Sequence, residues 1–269
     1  MKLFNTPLLR RQSASFDVAD ETIRAAAQII DGWASSLKSS GLSITKETSV
    51  QGPFFLTKIF FQDCLGYKLQ GGGDATYHLI PELSIGQDSA DAGLGFYSRN
   101  LKTDLAVVEL KDAGTSLDKK QLGRARKETP VEQATGTPIK IDSCKWIIVS
   151  NFREIRLYSK YRSEDYFESF SLEKKLADPS EFKKTFYYLL CRQKNLIDPS
   201  GTSEIDNLLA QSSQYSRNIT DQFYDDYSER RLALFFDDLV LEKPASGSAG
   251  PFFREDAEDP RSADLRLLL

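Results

Sequence analysis

Histidine is nearly absent from this sequence of 269 residues, and cysteine is scarce. His78 is the one histidine, which excludes metal sites that need several imidazoles, excludes HNH-type nucleases and disfavours histidine-based catalysis. Cys64, Cys144 and Cys191 are odd in number, widely spaced and without a C-x-x-C pair, which argues against a disulfide framework and a zinc site. Chemistry in this chain therefore depends on carboxylates, whose hard oxygens suit magnesium, manganese or calcium.

Long hydrophobic runs are lacking as well. The longest, such as Trp146 to Val149, are far shorter than the roughly 20 residues that a membrane-spanning helix needs. Met1 to Arg11 has neither the apolar stretch nor the cleavage site of a signal peptide. Because 40% of the residues are hydrophobic and 28% are charged, the composition is that of a globular protein. We therefore expect a cytoplasmic protein without membrane contact.

Charge is unevenly distributed along the chain. Although the sequence pI is about 5.3, Arg99 to Arg162 contains 14 Lys or Arg against 8 Asp or Glu. Leu196 to Leu269 contains 7 Lys or Arg against 15 Asp or Glu. The basic stretch is compatible with a nucleic-acid partner and equally with an ordinary solvated face.

Hydrophobic periodicity predicts an α/β protein. Apolar residues at helical spacing predict a helix over Asp20 to Leu37, and a second helical stretch from Lys46 to Cys64. Five segments are typical of strands: Tyr77–Ile80, Ala92–Tyr97, Leu105–Leu110, Lys145–Ser150 and Glu154–Tyr158. Helical patterns follow at Ser180–Leu196, Glu204–Leu209 and Ile219–Leu241, before a peripheral tail from Glu242 to Leu269. We expect a mixed sheet of four or five strands that is flanked by helices, with a mostly helical C-terminal third.

One candidate site lies where a very apolar strand ends. Glu109 and Lys111 are two residues apart at the end of Leu105–Leu110, so both side chains leave the strand on one face. An E-x-K triplet alone is weak, because a solvated charge pair explains it equally well. A second carboxylate nearby makes it informative.

Strand geometry favours Asp91 as that second carboxylate. If the hairpin turns around Arg99 to Leu101, Asp91 lies opposite Glu109 with roughly 5 Å between their α-carbons. Asp104, the alternative, is about 17 Å from Glu109 along an extended strand and on the opposite face. Asp112 has the wrong parity and is better explained as a turn residue. Asp91 and Glu109 are therefore predicted to share a divalent cation.

Two acids and a lysine suit the hydrolysis of a phosphodiester bond. Asp91 and Glu109 are predicted to hold Mg²⁺, for which Mn²⁺ substitutes, against a phosphate oxygen. Lys111 is predicted to stabilise the attacking water and the charge of the transition state. The metal supplies the nucleophile, so this chemistry needs no histidine.

Several segments, in their order along the chain, resemble the N-terminal PD-(D/E)XK endonuclease region of type IIG restriction–modification enzymes, in which endonuclease and methyltransferase share one polypeptide. The likeness lies in Lys46–Thr48 with Leu65–Tyr67, Asp91–Phe96, Val107–Lys111, Pro130–Ala134, Trp146–Tyr158 and Ile219–Arg230. The resemblance implies a PD-(D/E)XK fold over residues 1–195, including an N-terminal helix, and a helical connector with an acidic tail over 196–269. It implies double-stranded DNA as the substrate and site roles for Asp91, Glu109, Lys111, Glu47 and Gln133.

The resemblance also has consequences for partners. A glycine-rich cofactor loop and an N-P-P-Y-like tetrad are absent from the sequence, so we expect no S-adenosylmethionine binding by this chain. The resemblance is compatible with a methyltransferase or specificity region in a longer parent chain, and with a homodimer for cleavage of both DNA strands. A basic set after the E-x-K strand is predicted either to contact DNA phosphates or to form an exposed helix surface: Lys119, Lys120, Arg124, Arg126 and Lys127.

Three alternatives remain open. The helix that carries Gln133 is followed by Gly136 and Pro138, so the reach of Gln133 into the site is uncertain from sequence alone. Glu47 is equally well explained as a solvated glutamate. The competing functions are a non-catalytic DNA-binding or interaction module that retains a nuclease fold, and an RNA-directed nuclease.

Overall fold

The computed structural model describes most of the chain. The described residues are 1–40, 51–56, 63–69, 76–85, 88–121, 128–136, 141–173, 179–193 and 195–241. The chain divides into two compact units, 1–218 and 219–269. The first contains the whole sheet. Among the described residues, no helix combines the length and the apolar character that crossing a membrane requires.

Along the chain, helices precede, interrupt and follow a six-stranded sheet. The helices are α1 (Thr6–Ser15), α2 (Asp20–Ser40), α3 (Gln51–Phe54), α4 (Pro130–Gly136), α5 (Pro179–Phe182), α6 (Tyr188–Leu190) and α7 (Glu204–Leu241). A π-helical turn, Lys183–Tyr187, joins α5 to α6. The strands are β1 (Tyr77–Ile85), β2 (Asp88–Ser98), β3 (Leu101–Leu110), β4 (Trp146–Ser150), β5 (Glu154–Ser159) and β6 (Phe167–Ser171).

The sheet is mixed, with strand order β1-β2-β3-β4-β5-β6. β3 and β4 are parallel, while all other neighbours are antiparallel. The parallel pair needs a crossover connection, and the chain passes through α4 between these two strands. The predicted α/β class and the five predicted strands are confirmed. The predicted count of four or five strands is wrong, because β6 adds a sixth.

Apolar side chains cover both faces of β3. Val108 and Leu110 belong to the large core that includes α1, α2 and α6, whereas Val107 belongs to a smaller core with residues of α4 and β4. Burial on both faces explains why this strand is a continuous apolar run instead of an alternating one. Glu109 has the parity of Val107 and therefore lies on the face that carries α4.

Helix α2 confirms the first helical prediction. Ile23, Ile30 and Leu37 follow one another at intervals of about two turns and are all buried. Trp33 is also buried, and its indole N–H donates to the backbone oxygen of Phe152 at 2.7 Å. This hydrogen bond ties α2 to the turn between β4 and β5.

Several predicted boundaries are wrong, including the starts of β2 and β3, which lie four residues earlier than predicted. β1 continues past Pro81 to Ile85; because β1 is an edge strand, the N–H that proline lacks costs no ladder hydrogen bond on its outer side. The helix predicted to reach Leu196 ends at Leu190, where the side chain of Asn195 donates to the backbone oxygen of Tyr188 at 2.5 Å.

At the C-terminus, the two helices predicted as Glu204–Leu209 and Ile219–Leu241 are one helix, α7. Its polar middle, residues 210–218, is exposed apart from Ser212 and Ser213, so no apolar period marks it as helical. The predicted tail, Glu242–Leu269, and parts of the helical stretch Lys46–Cys64 lie outside the described residues.

Candidate active site

The hairpin of β2 and β3 sets the register of the site. Ala92 pairs with Val108, and Gly93 pairs with Val107, so the residue numbers of each pair add up to 200, as the predicted turn requires. A bulge between Leu94 and Gly95 shifts the pairing closer to the turn. The predicted antiparallel hairpin is confirmed, and Asp91 lies one step beyond its last pair.

Asp91 continues the ladder with its side chain. Its Oδ2 accepts a hydrogen bond from the backbone N–H of Leu110 at 2.7 Å. The next backbone N–H, that of Lys111, donates to the carbonyl oxygen of Ser150 in β4 at 2.8 Å. The half-buried carboxylate of Asp91 therefore satisfies a backbone donor within the E-x-K segment, and it lies beside the residue that follows Glu109.

Glu109 and Lys111 form a buried ion pair. The Nζ of Lys111 lies 2.5 Å from Oε1 of Glu109, and the two side chains are only 5% and 8% exposed. Charges so far from water need close partners, because the interior does not replace their hydration. Glu109 and Lys111 are two residues apart in an extended segment, so their side chains leave it on the same face and their charged atoms meet.

Gln133 of α4 joins this pair. Its Oε1 accepts from Nζ of Lys111 at 3.1 Å, and its Nε2 donates to Oε1 of Glu109 at 3.4 Å. Thr129 and Glu132 cap the start of α4 reciprocally: the N–H of Thr129 donates to Glu132, and the N–H of Glu132 donates to Thr129. The helix is short, yet it aims Gln133 at the sheet because Val131 is buried against the sheet's smaller core.

Gln121 is a site residue that the sequence did not reveal. Its Nε2 donates to Oε1 of Gln133 at 3.3 Å, so this oxygen accepts from both Lys111 and Gln121. With its oxygen held by two donors, the amide of Gln133 presents its N–H₂ to Glu109. No pattern in the surrounding polar loop distinguishes Gln121 from its neighbours.

The alternative acids have other surroundings. Asp104 accepts from the hydroxyl of Tyr97 at 2.9 Å and lies 4.0 Å from Nζ of Lys102, near the turn of the hairpin. The backbone oxygen of Asp112 accepts from the N–H of Thr115, as a turn residue does. Asp91, unlike Asp104, has a carboxylate that is hydrogen-bonded to the E-x-K triplet, through the N–H of Leu110.

The loop from Asp112 to Gln121 presents the first two lysines of the predicted DNA-binding set. Lys119 and Lys120 are exposed, and they lie in a loop instead of the helix that the pattern allowed. Leu117 is buried in the smaller core and anchors the loop. Glu47, Arg124, Arg126 and Lys127 lie outside the described residues.

The guanidinium group of Arg156 holds the loop from Asp112 to Gln121 in place. Arg156 of β5 donates through both terminal nitrogens to Asp118, at 2.5 and 2.8 Å. The hydrogen bond from Arg156 lowers the pKa of Asp118 below its usual value, and Asp118 in turn raises the pKa of Arg156. Asn151 adds a second anchor by donating to the backbone oxygen of Thr115 at 2.9 Å. Lys119 thus follows a residue whose position is set by the sheet.

The thiols and the imidazole are structural. Burial raises the pKa of Cys144 to about 12 and that of Cys191 to about 12, and it raises the pKa of Cys64 further, so all three remain uncharged thiols at neutral pH. Burial, with help from Arg192 and Lys68, lowers the pKa of His78 to about 4. Its Nδ1 accepts from the backbone N–H of Lys68 at 3.3 Å, which gives the ring a structural role.

The carboxylates fit a hard cation with few protein ligands. Among the described residues, no group of three or more His, Cys, Asp or Glu side chains has the arrangement of a metal site. Magnesium needs fewer, since it is commonly held by one or two carboxylates and completes its octahedral shell with waters and substrate phosphates. Two carboxylates, such as those of Asp91 and Glu109, are the kind of donor set that such a cation takes.

Comparison of the chain with models of known protein families, with curated proteins and with solved structures finds no match. The assignment of a function therefore depends on the fold and on the contacts of the site itself.

Proposed function

We propose that this protein is a Mg²⁺-dependent endonuclease of the PD-(D/E)XK type that hydrolyses phosphodiester bonds in DNA. The observation that carries the proposal is the convergence of Asp91, Glu109, Lys111 and Gln133 at the end of β3. These four side chains come from two strands and a helix, and a solvated charge pair would not recruit a buried ammonium and an amide.

The topology supports the same proposal. A three-stranded antiparallel meander, β1 to β3, is followed by α4 and by β4, which is parallel to β3. The segments that carry the PD-(D/E)XK resemblance lie, in chain order, in β2, β3, α4 and the β4–β5 pair. The E-x-K triplet lies at the end of the central strand where that crossover begins.

Each residue has a chemical role in the proposed reaction. Asp91 and Glu109 would hold Mg²⁺, which when bound lowers the pKa of water and so supplies a nucleophile near neutral pH. Lys111 donates to the phosphate or to the attacking water and offsets the negative charge that develops in the transition state. Gln133 fixes the orientation of Lys111 and Glu109 through its amide.

The DNA backbone would approach over the loop from Asp112 to Gln121. Lys119 and Lys120 are exposed on this loop, next to the residue that Arg156 holds, so their ammonium groups are available to phosphates. A cytoplasmic restriction–modification enzyme is the setting we propose, with a methyltransferase or specificity region in a longer parent chain and a homodimer for double-strand cleavage.

Cleavage of plasmid DNA tests the proposal directly. We expect nicked or linear product with Mg²⁺ or Mn²⁺, no product with EDTA, and at least a hundredfold slower cleavage by Asp91→Asn, because asparagine keeps an acceptor for the N–H of Leu110 but loses the charge. Asp104→Asn is the matched control and should cleave at the wild-type rate. Cleavage by Asp91→Asn at the wild-type rate would exclude this mechanism. DNA binding without cleavage by any form would instead indicate the non-catalytic module.

A further inference from the structure

The ammonium group of Lys111 contacts one of the atoms that the proposed metal site needs. Its Nζ lies 2.5 Å from Oε1 of Glu109 and 3.1 Å from Oε1 of Gln133. These contacts lie in the protein interior, because the side chains of Lys111 and Glu109 are almost completely buried. A positive charge therefore already lies against the inner carboxylate of the site.

A divalent cation would compete with this ammonium for the same oxygen. Magnesium binds carboxylate oxygens at about 2.0–2.1 Å, which is closer than the ammonium contact. Two cations on one carboxylate repel each other, and burial strengthens the repulsion because little water screens it. Lys111 cannot keep its present position on Glu109 with full strength while a metal ion binds there.

We propose that Lys111 is the resident cation of this site and must leave Oε1 of Glu109 before a divalent ion binds there. The inference depends on the proposed function, because it assigns the metal to Asp91 and Glu109. The displaced ammonium needs a new acceptor, and a DNA phosphate supplies one. Metal and DNA therefore bind with positive coupling, and the lysine suppresses metal binding in the absence of substrate.

The consequence has an unusual sign, since a residue needed for cleavage opposes the binding of the cofactor. Lys111→Met removes the competing charge and keeps most of the apolar side-chain volume. We expect it to bind Mn²⁺ about tenfold more tightly than the wild type, in the range typical of coupled sites, while cleaving no DNA. A purely structural lysine would give the opposite result, because its loss would disorder Glu109 and weaken the metal.

Mn²⁺ titration of the whole chain, followed by electron paramagnetic resonance of free Mn²⁺, measures this affinity without any cleavage. Lys102→Met is the matched control, since it removes the same charge from a side chain that is 59% exposed and should leave the affinity unchanged. Circular dichroism checks that each variant is folded. If Lys111→Met is unfolded, Lys111→Gln replaces it, because glutamine keeps donors for Glu109 and loses only the charge.

The outcomes separate the inference from the function on which it depends. Tighter Mn²⁺ binding by the Lys111 variant, with Lys102→Met at the wild-type value, supports the inference. Equal or weaker binding by the Lys111 variant overturns it, although the nuclease proposal survives if Glu109→Gln abolishes binding. If no form binds Mn²⁺, or if Glu109→Gln binds it as well as the wild type does, the metal site itself is wrong and both proposals fail.

Discussion

Removal of one partner from the Glu109–Lys111 pair should cost far more than removal of both. In Lys111→Met the carboxylate of Glu109 stays buried without its ammonium, and in Glu109→Gln the ammonium stays buried without its carboxylate. Loss of one partner of a buried ion pair typically costs about 3–5 kcal/mol. Because both side chains are less than a tenth exposed, this figure needs no reduction for screening by solvent.

The double variant Glu109→Gln/Lys111→Met leaves no uncompensated charge. Its free energy of unfolding should be within about 2 kcal/mol of the wild-type value, since replacing both members of a buried pair is often nearly neutral. The two single effects should therefore be strongly non-additive, with a coupling energy of roughly 3 kcal/mol or more. Urea unfolding followed by circular dichroism at pH 7 measures the free energy of unfolding of the wild type, the two single variants and the double variant.

Lys102→Met provides the comparison. Its ammonium lies 4.0 Å from Asp104, and its side chain is 59% exposed, so we expect a change below about 0.5 kcal/mol. Additive single effects in the Glu109–Lys111 cycle would refute the reasoning, since they would mean that the two charges do not compensate each other in the folded protein.

Three further predictions concern the hairpin, the loop and DNA binding. Gly95→Ala should destabilise the protein by several kcal/mol in urea unfolding, because a β-carbon there would overlap the backbone oxygen of Thr103. Asp118 has a lowered pKa, so its ion pair contributes stability above about pH 4 and loses it as the pH falls further; Asp118→Asn should cost at most about 1 kcal/mol at pH 7, since its side chain is 68% exposed, and progressively less as the pH falls below about 4. The double variant Lys119→Ala/Lys120→Ala should bind duplex DNA with a weaker salt dependence. The slope of log K against log salt should be smaller in magnitude by about two units, as measured by fluorescence anisotropy.

Each of these has a control in the same chain. Gly114→Ala should be nearly neutral, because no atom lies within 4 Å of its added β-carbon and its backbone is not strained. Glu164→Gln, at an exposed carboxylate, should leave the free energy of unfolding at pH 7 unchanged. Lys38→Ala, on the exposed side of α2, should leave the salt slope unchanged. A slope that falls equally in Lys38→Ala would mean that the loop has no special role in binding DNA.

The sequence predicts the centre of the fold because strand parity and a short turn fix the hairpin. Ala92 and Val108 pair as expected since the only freedom was the position of the turn between them. The sequence leaves the reach of Gln133 open, because Gly136 and Pro138 end the helical pattern soon after it. The capping box of Thr129 and Glu132 at its start was the more informative signal.

Strand β6 could not be predicted in the same way, and helix α1 was not predicted although the sequence carries a signal for it. β6 includes Glu168, which is buried because the backbone N–H groups of Leu3 and Phe4 donate to its carboxylate. That contact joins residues more than 160 positions apart, so no local pattern indicates it. Helix α1 did have a signal, since Asn5 caps it by accepting from the N–H of Leu8.

The hydrogen bond between Asp91 and the backbone of Leu110 affects which residues distinguish active from inactive relatives by sequence. A lineage that lost cleavage would still be selected to keep an acceptor at position 91, because its removal leaves the N–H of Leu110 without its partner. An aspartate at position 91 is therefore a poor indicator of an active enzyme. Lys111 is the better marker, since a buried ammonium has a cost that an inactive descendant can shed by replacing it together with Glu109.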